Sequence, residues 1–464
     1  MNYTKIDFDR ELIERCQTNA PRYTSYPTAD RFSLEFNQET QLKQLAKVFD
    51  NELSEPISLY IHIPFCNTLC LYCGCNKIIT NNRALITTYL EYLAKEFALY
   101  AELFNGRKLP VVQLHFGGGS PSWLSIAEVH QIMQLVHRYF DLSFAAEIAM
   151  ELDPRHVTDE FVEALYSEGF NRVSLGVQDL DYKVQKAVNR IQPLEETLRV
   201  LNKANELGFK STSIDLIYGL PFQTIDGFAS TIDTVINVLK PARIALFNYA
   251  HIPQLFMSQT RIREEDLPSS SDKLTILQES VERLARAGYK FIGMDHFAVP
   301  EDELSIALDN GSLQRNFQGY STFADTHMLA FGVSSIGFVG NSYYQNVKDL
   351  DSYYRSLDNH QLPILRGILL NQDDLIRRYI IQQIMCQFEL NYPEIENRFM
   401  LEFKRYFVSE LEELQRIEEI GLISISADGF TVSNKGRFLI RNVAMIFDKY
   451  LQKKRDLARY SKVI

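Results

Sequence analysis

Tyr60-Ile61-His62-Ile63-Pro64-Phe65-Cys66-Asn67-Thr68-Leu69-Cys70-Leu71-Tyr72-Cys73-Gly74-Cys75 contains four of the chain's six cysteines, at the spacing Cys-x3-Cys-x2-Cys-x-Cys. The β-branched run over 57–63 reads as a strand that hands the chain directly to this loop. A structural zinc site takes two well-separated ligand pairs, which one tight loop does not supply. An iron–sulfur cluster accepts closely spaced thiolates from a single loop. Cys66, Cys70 and Cys73 reach three irons of a cubane and leave the fourth open, an arrangement suited to chemistry. Cys75, two residues beyond Cys73, has little slack to reach the fourth iron and is expected beside the cluster. A core of packed thiols gives no reason for this rhythm.

Outward from the loop, apolar runs at 57–63, 111–116, 146–152, 172–176, 212–217 and 243–249 alternate with helical patterns at 85–104, 126–139, 160–168, 194–206 and 228–238. Strand followed by crossover helix, repeated, predicts an α/β fold whose parallel sheet curls into a partial or full βα barrel. A further apolar run at 289–294 is expected to extend that sheet, whereas 317–320 and 332–337 read as loops.

Residues 1–50 read as an N-terminal arm, 51–370 as the barrel with a substrate-binding extension, and 371–464 as a mainly α cap. The cap pattern is helical at 375–388, 393–400 and 407–420. A hairpin over 422–426 and 430–433 turns at Asp428-Gly429, and a last helix spans 436–451, so the module is winged-helix-like.

The chain has 464 residues, 46% hydrophobic and 23% charged, as in an ordinary globular protein. Lys+Arg 48 against Asp+Glu 59 gives −11, which disfavours nucleic acid and anionic membranes, and the cap lacks a basic recognition helix. No apolar stretch suits a bilayer crossing, and the opening residues lack a secretory core, so a cytoplasmic location without membrane insertion is expected. Six sparse cysteines also fit a reducing compartment.

Working residues of βα barrels gather at the C-terminal strand ends. Gly117-Gly118-Gly119-Ser120-Pro121 follows the second run and lacks a P-loop Lys-Ser/Thr; bare glycines there let a ligand reach the backbone. Alternation puts Glu147 and Glu151 on one face, with Glu151 nearest the strand end, where a carboxylate suits ribose hydroxyls. Asp215 lies within an apolar strand and needs a partner, for which Arg190 is the candidate. Tyr60 and His62 share a face and point with the cysteine loop.

His-Ile-Pro-Phe-Cys-x3-Cys-x-Tyr-Cys resembles the cluster loop of the radical S-adenosylmethionine (SAM) superfamily. Gly74-Cys75-Asn76-Lys77 and the arm segment Pro21-Arg22-Tyr23-Thr24-Ser25-Tyr26-Pro27-Thr28 are similar to its oxygen-independent coproporphyrinogen III oxidase branch, over nearly the whole chain. The resemblance implies a [4Fe-4S] cluster on Cys66, Cys70 and Cys73 and SAM, two molecules in all. It places Tyr60 against the first SAM, His62 near the cluster, the Tyr72 backbone against adenine and Gly118, Gly119 and Ser120 at the methionine end. Ser120 stands where Thr is more usual.

The same resemblance gives Glu151 the ribose, sets Gln178, Arg190, Asp215, Ala250 and Ile336 around SAM, and puts Phe317 and Gln318 near the reaction centre. It implies a catalytic group of Tyr60, His62, Phe317 and Gln318. The expected reaction converts coproporphyrinogen III to protoporphyrinogen IX through a 5′-deoxyadenosyl radical, with an external one-electron donor, an electron acceptor and a monomeric enzyme.

Four substrate carboxylates need basic residues in a chain of charge −11. Arg22 is the leading candidate, followed by Lys77, Arg83 and the tail residues Lys449, Lys453, Lys454, Arg455, Arg459 and Lys462. Two rivals come from other classes. A heme-binding chaperone of the same superfamily lacks the counterpart of Cys75 and the Pro-Arg-Tyr arm. A zinc-stabilised binding module would hold one zinc and no iron.

Overall fold

The protein's computed structural model describes residues 7–49, 55–323, 326–451, 460 and 462. Six strands, β1 (Ile57–Ile63), β2 (Leu109–Gly118), β3 (Glu147–Leu152), β4 (Arg172–Gln178), β5 (Ser211–Tyr218) and β6 (Arg243–Asn248), lie side by side in that order, every pair parallel. Each agrees with its sequence reading to within two residues.

Alternation decides what each strand shows to either side. Ile57, Leu59, Ile61 and Ile63 of β1 are fully buried, in one core with Leu90, Leu93 and Phe97 of the helix Arg83–Leu103. Ser58, Tyr60 and His62 take the opposite face. Ser58 Oγ bonds Gln113 at 3.3 Å, Gln113 bonds Glu147 at 2.7 Å, and Arg172 pairs with Glu147 at 2.7 Å, so a polar layer closes the N-terminal end of the barrel.

Two additions flank the six strands. Met328–Phe331 joins β1 in parallel and continues through antiparallel Ile336–Val339, Ser342–Asn346 and Ile364–Leu369, while His296–Ala298 and Lys290–Gly293 extend β6. The sheet path therefore has two ends, and among the described residues no pairing joins them: the barrel is partial. Gln314–Asn316 and Gly319–Ser321 form a separate hairpin. Its Ser321 accepts from Gln113, and its Tyr320 donates to Met385 O, so it spans the open side.

The loop expectations at 317–320 and 332–337 are thus corrected to a hairpin and a strand-bounded turn. These strands are three or four residues long and leave no alternation to read.

The cap runs Gln372–Gln387, Glu389–Asn391, Tyr392–Phe399, Phe403–Tyr406, Val408–Glu419, Ile423–Ser426 and Gly429–Val432. Its last strand pairs with both others, as in a winged helix. The expected helix over 436–451 is shorter: a 3₁₀ turn at Gly436–Leu439 precedes Ile440–Met445. Beyond it Asp448 bonds the Tyr450 N–H at 2.9 Å and the Tyr23 hydroxyl of the arm at 3.1 Å, a local alternative that ends the helix.

Glu96, fully buried on Arg83–Leu103, accepts from Gly332 N at 2.7 Å, Asn346 Nδ2 at 2.8 Å and Tyr353 Oη at 2.6 Å, which pins the turn at 332–337. Burial pushes its pKa up to about 7 although all three donors favour the carboxylate. Because the folded value is raised, stability from this group is full below its unfolded value and declines as pH rises towards 7. Glu96→Gln, which puts an amide against those donors, is expected to cost about 1–3 kcal/mol at pH 5 and less at pH 8, read by denaturant unfolding.

Candidate active site

β1 delivers the cysteine loop to the C-terminal rim of the barrel. Cys66, Cys70 and Cys73 are half-buried, Cys75 is exposed, and all six cysteines are free thiols. The loop is held from outside: Ile78 N bonds Pro64 O at 2.7 Å, Thr80 N bonds Cys66 O at 2.8 Å, Leu71 N bonds Val188 O at 3.0 Å, and Lys77 Nζ bonds Cys73 O at 3.0 Å. Among the described residues no three His, Cys, Asp or Glu side chains gather as a single ion requires. Three thiols spread along one pinned loop fit a multi-iron cluster.

Cys70 faces two arginines. Arg190 Nη1 lies 3.5 Å and Arg155 Nη2 3.9 Å from its sulfur, and both bond Asp153 Oδ2, at 3.1 and 2.6 Å. Burial opposes the Asp153 charge, but Arg190 and Arg155 overcome it and hold its pKa at about 2. Arg155 and Asp153 were not among the sequence candidates. Asp153-Pro154-Arg155, at the end of β3, was the signal available for them.

The expected Asp215–Arg190 pair is a correction. Arg190 is taken by Asp153 and by Gly176 O, the latter at 2.6 Å. Asp215 keeps a hydrogen bond from Ser174 at 3.4 Å, and burial with the neighbouring Glu151 charge pushes its pKa up to about 7. Glu151 accepts from His115 Nε2 at 3.2 Å and Gly118 N at 3.2 Å. Burial works against its charge, but those groups more than offset it and leave its pKa below the ordinary glutamate value. Glu151 and Asp215 are thus neighbouring carboxyl groups of different acidity.

Tyr60 donates to His62 Nδ1 at 3.1 Å, while His62 Nε2 donates to Asn76 O at 3.2 Å; the carbonyl partner sets this tautomer. Burial pushes the His62 pKa down to about 4, so the ring is neutral at pH 7. The three glycines wedge between this pair and the loop. A Cβ on Gly117 would lie 2.9 Å from Glu151, one on Gly118 2.5 Å from His62, and one on Gly119 2.7 Å from the Pro64 carbonyl. Gly118 also has φ +118°, a region that favours glycine. Ser120 is buried and bonds Ser122 at 3.1 Å. Gln178 has φ +69° and its amide lies against Gly176.

Tyr72 and Ala250, far apart in sequence, are joined by Gln259. Its Nε2 donates to Tyr72 O at 3.0 Å and Ala250 O at 3.3 Å, and its Oε1 accepts from Ile252 N at 2.6 Å. Nothing in the sequence marks this glutamine. Phe317, Gln318 and Ile336 form a second group. Phe317 meets the Tyr343 ring edge-on at 5.8 Å, Gln318 Nε2 lies 3.5 Å from Met328 Sδ, and Ile336 packs with Phe317 on the cluster containing Phe32.

Arg22 pairs with Asp295 and lies over Phe247, its guanidinium carbon 5.6 Å from the ring centre. Two of the other basic candidates are engaged elsewhere. Arg83 bonds Glu128 and Trp123 O, and Lys449 bonds Asp373 and Asp374. Lys462 is exposed, and Lys453, Lys454, Arg455 and Arg459 lie outside the described residues.

Gly119→Ala drives a methyl group into backbone rather than a side chain, and is expected to cost about 1–3 kcal/mol by denaturant titration. A wild-type midpoint would contradict the close fit.

Comparison with known proteins follows the same lines. The Radical SAM superfamily profile matches residues 60–235, and the HemN C-terminal domain profile matches residues 370–439. The oxygen-independent coproporphyrinogen III oxidase of Escherichia coli (strain K12) is 46% identical over 464 residues, 100% of both chains. That of Pseudomonas aeruginosa is 45% identical over 461 residues, 99% of each. A solved structure described as "Coproporphyrinogen III oxidase (HemN) from Escherichia coli is a Radical SAM enzyme" superposes with a TM-score of 0.91 at 46% identity, covering 96% of this chain and 100% of that one. The cysteine loop, the partial parallel barrel and the winged-helix-like cap are therefore those of a radical SAM protein, and the chain belongs to the oxygen-independent coproporphyrinogen III oxidase family.

Proposed function

We infer that the protein oxidatively decarboxylates two propionate side chains of coproporphyrinogen III to vinyl groups, giving protoporphyrinogen IX. The observation that carries this is the three-cysteine loop at the barrel rim, in a chain similar over its full length to enzymes of that name. A reduced [4Fe-4S] cluster with SAM supplies the one-electron chemistry that removes a hydrogen atom from a propionate β-carbon. Each propionate then loses CO2 and one electron to become a vinyl group, the electron passing to an external acceptor, while an external donor reduces the cluster.

The chain's own residues position these partners. Cys66, Cys70 and Cys73 would hold the cluster, with Arg190 and Arg155 turned to the Cys70 sulfur. Gly117, Gly118 and Gly119 expose backbone to the amino-acid end of SAM, and Glu151 accepts from its ribose hydroxyls. Gln259 fixes the Tyr72 and Ala250 carbonyls, so that the Tyr72 backbone would meet adenine and Ala250 would lie around SAM. A neutral His62 held by Tyr60 adds no charge beside the cluster. Gln178, Asp215 and Ile336 remain to line a second SAM, one for each propionate.

Anaerobic turnover of the iron-reconstituted protein with dithionite, SAM and coproporphyrinogen III is expected to give protoporphyrinogen IX with about two 5′-deoxyadenosines per porphyrin. Cys66→Ser, Cys70→Ser and Cys73→Ser are each expected to abolish both products, and Cys75→Ser to retain about four irons per chain. An intact cluster with neither product would overturn the assignment and favour heme binding instead.

A further inference from the structure

Beyond the cluster, the ends of β5 and β6 hold an unusual concentration of guanidinium groups. Arg22 comes from the arm, Arg315 from the hairpin strand Gln314–Asn316 and Arg441 from the cap helix Ile440–Met445. A chain of aromatic rings connects the first two: Arg22 over Phe247, Phe247 against His296 at 5.9 Å, His296 against Tyr320 at 5.3 Å, and Arg315 over Tyr320 at 4.7 Å. The charges feel one another. Burial, with Arg441 and Arg315, pushes the Arg22 pKa down to about 9, and burial with Arg315 and Arg22 keeps His296 well below its usual value and so neutral.

Counter-charge is scarce. Asp295 pairs with Arg22, and Arg441 is absorbed by the Ala20 and Lys462 carbonyls at 2.8 and 2.6 Å. Arg315 has neither: its Nε and Nη1 are buried and have no hydrogen-bond partner. Arg315 as a whole is half-buried, and a guanidinium whose inner nitrogens are buried without an anion is unfavourable. Carboxylate is the anion that the guanidinium fork fits, and the substrate brings four.

We propose that Arg315, backed by Arg22, is the seat for a propionate of the porphyrinogen, and specifically for one that the product retains. An ion-paired carboxylate is stabilised as carboxylate and resists departure as CO2, so the reacting propionate belongs at the Tyr60 end of the cavity and the retained one here. The proposal rests on coproporphyrinogen III being the substrate.

Arg315→Met keeps the length of the side chain and removes the unpaired charge, so the substrate-free variant is expected to unfold at an equal or higher denaturant midpoint than wild type. Its KM for coproporphyrinogen III is expected to rise about 10- to 100-fold with a smaller change in kcat, and Arg315→Lys to fall between. Fluorescence titration with coproporphyrin III and with protoporphyrin IX is expected to show the same fold loss for both in Arg315→Met, because both carry the retained propionates. Loss for coproporphyrin alone would move the seat to a reacting propionate and overturn that assignment. Unchanged KM and binding would overturn the seat altogether. Failure of the wild-type protein to convert coproporphyrinogen III would instead remove the functional reading on which the proposal stands.

Discussion

Strand β1 carries four apolar side chains to a helix-covered face and Ser58, Tyr60 and His62 to the lumen, and its last residue opens directly into the cysteine loop. That alternation is the constraint on which the rest depends. A slip of one residue would bury the Tyr60–His62 pair under the helix Arg83–Leu103 and turn four aliphatic side chains into the cavity. Pairing with β2 and with Met328–Phe331 on either side holds the register. Through β2 the same register sets the glycines against His62 and the Pro64 carbonyl, so the cysteine loop and the glycine-bearing backbone share one support.

The cavity above this support is electrically divided. Glu151, Asp215 and Asp153 stand on the side of the cysteines, and Arg190 with Arg155 draws Asp153 into an ion-paired group at Cys70. Arg22 and Arg315 stand on the side closed by the arm and the hairpin. Charges of opposite sign are thus concentrated on different sides of the fold in a chain whose net charge is −11. The arm and cap bring Arg22 and Arg441 to that side, which gives both appendages a role in building the cavity.

Much of this was legible in the residues. The six parallel strands, the cysteine loop and the shared face of Tyr60 and His62 follow from local alternation and spacing, which do not depend on distant chain. What failed is non-local. Arg190 and Asp215 were paired because a buried carboxylate needs a cation, but Asp153 at the end of β3 takes Arg190, and the strand-end Asp-Pro-Arg was the only local mark of it. Arg315 sits in a three-residue strand just before the stretch read as loop, and only the folded hairpin reveals its missing counter-ion. Gln259 joins the Tyr72 and Ala250 carbonyls across 187 positions in sequence in the first case, a contact with no local signature. The last helix stopped early because Asp448 found Tyr23 of the arm, at the other end of the chain.

The central claim is that the cavity delivers a propionate β-carbon to SAM at the cysteine end. Coproporphyrinogen III deuterated at the propionate β-carbons tests it most directly, with the 5′-deoxyadenosine formed in anaerobic turnover analysed by mass spectrometry. The account predicts deuterium in the 5′-deoxyadenosine, about one label for each vinyl group formed. Unlabelled 5′-deoxyadenosine alongside vinyl product would contradict it.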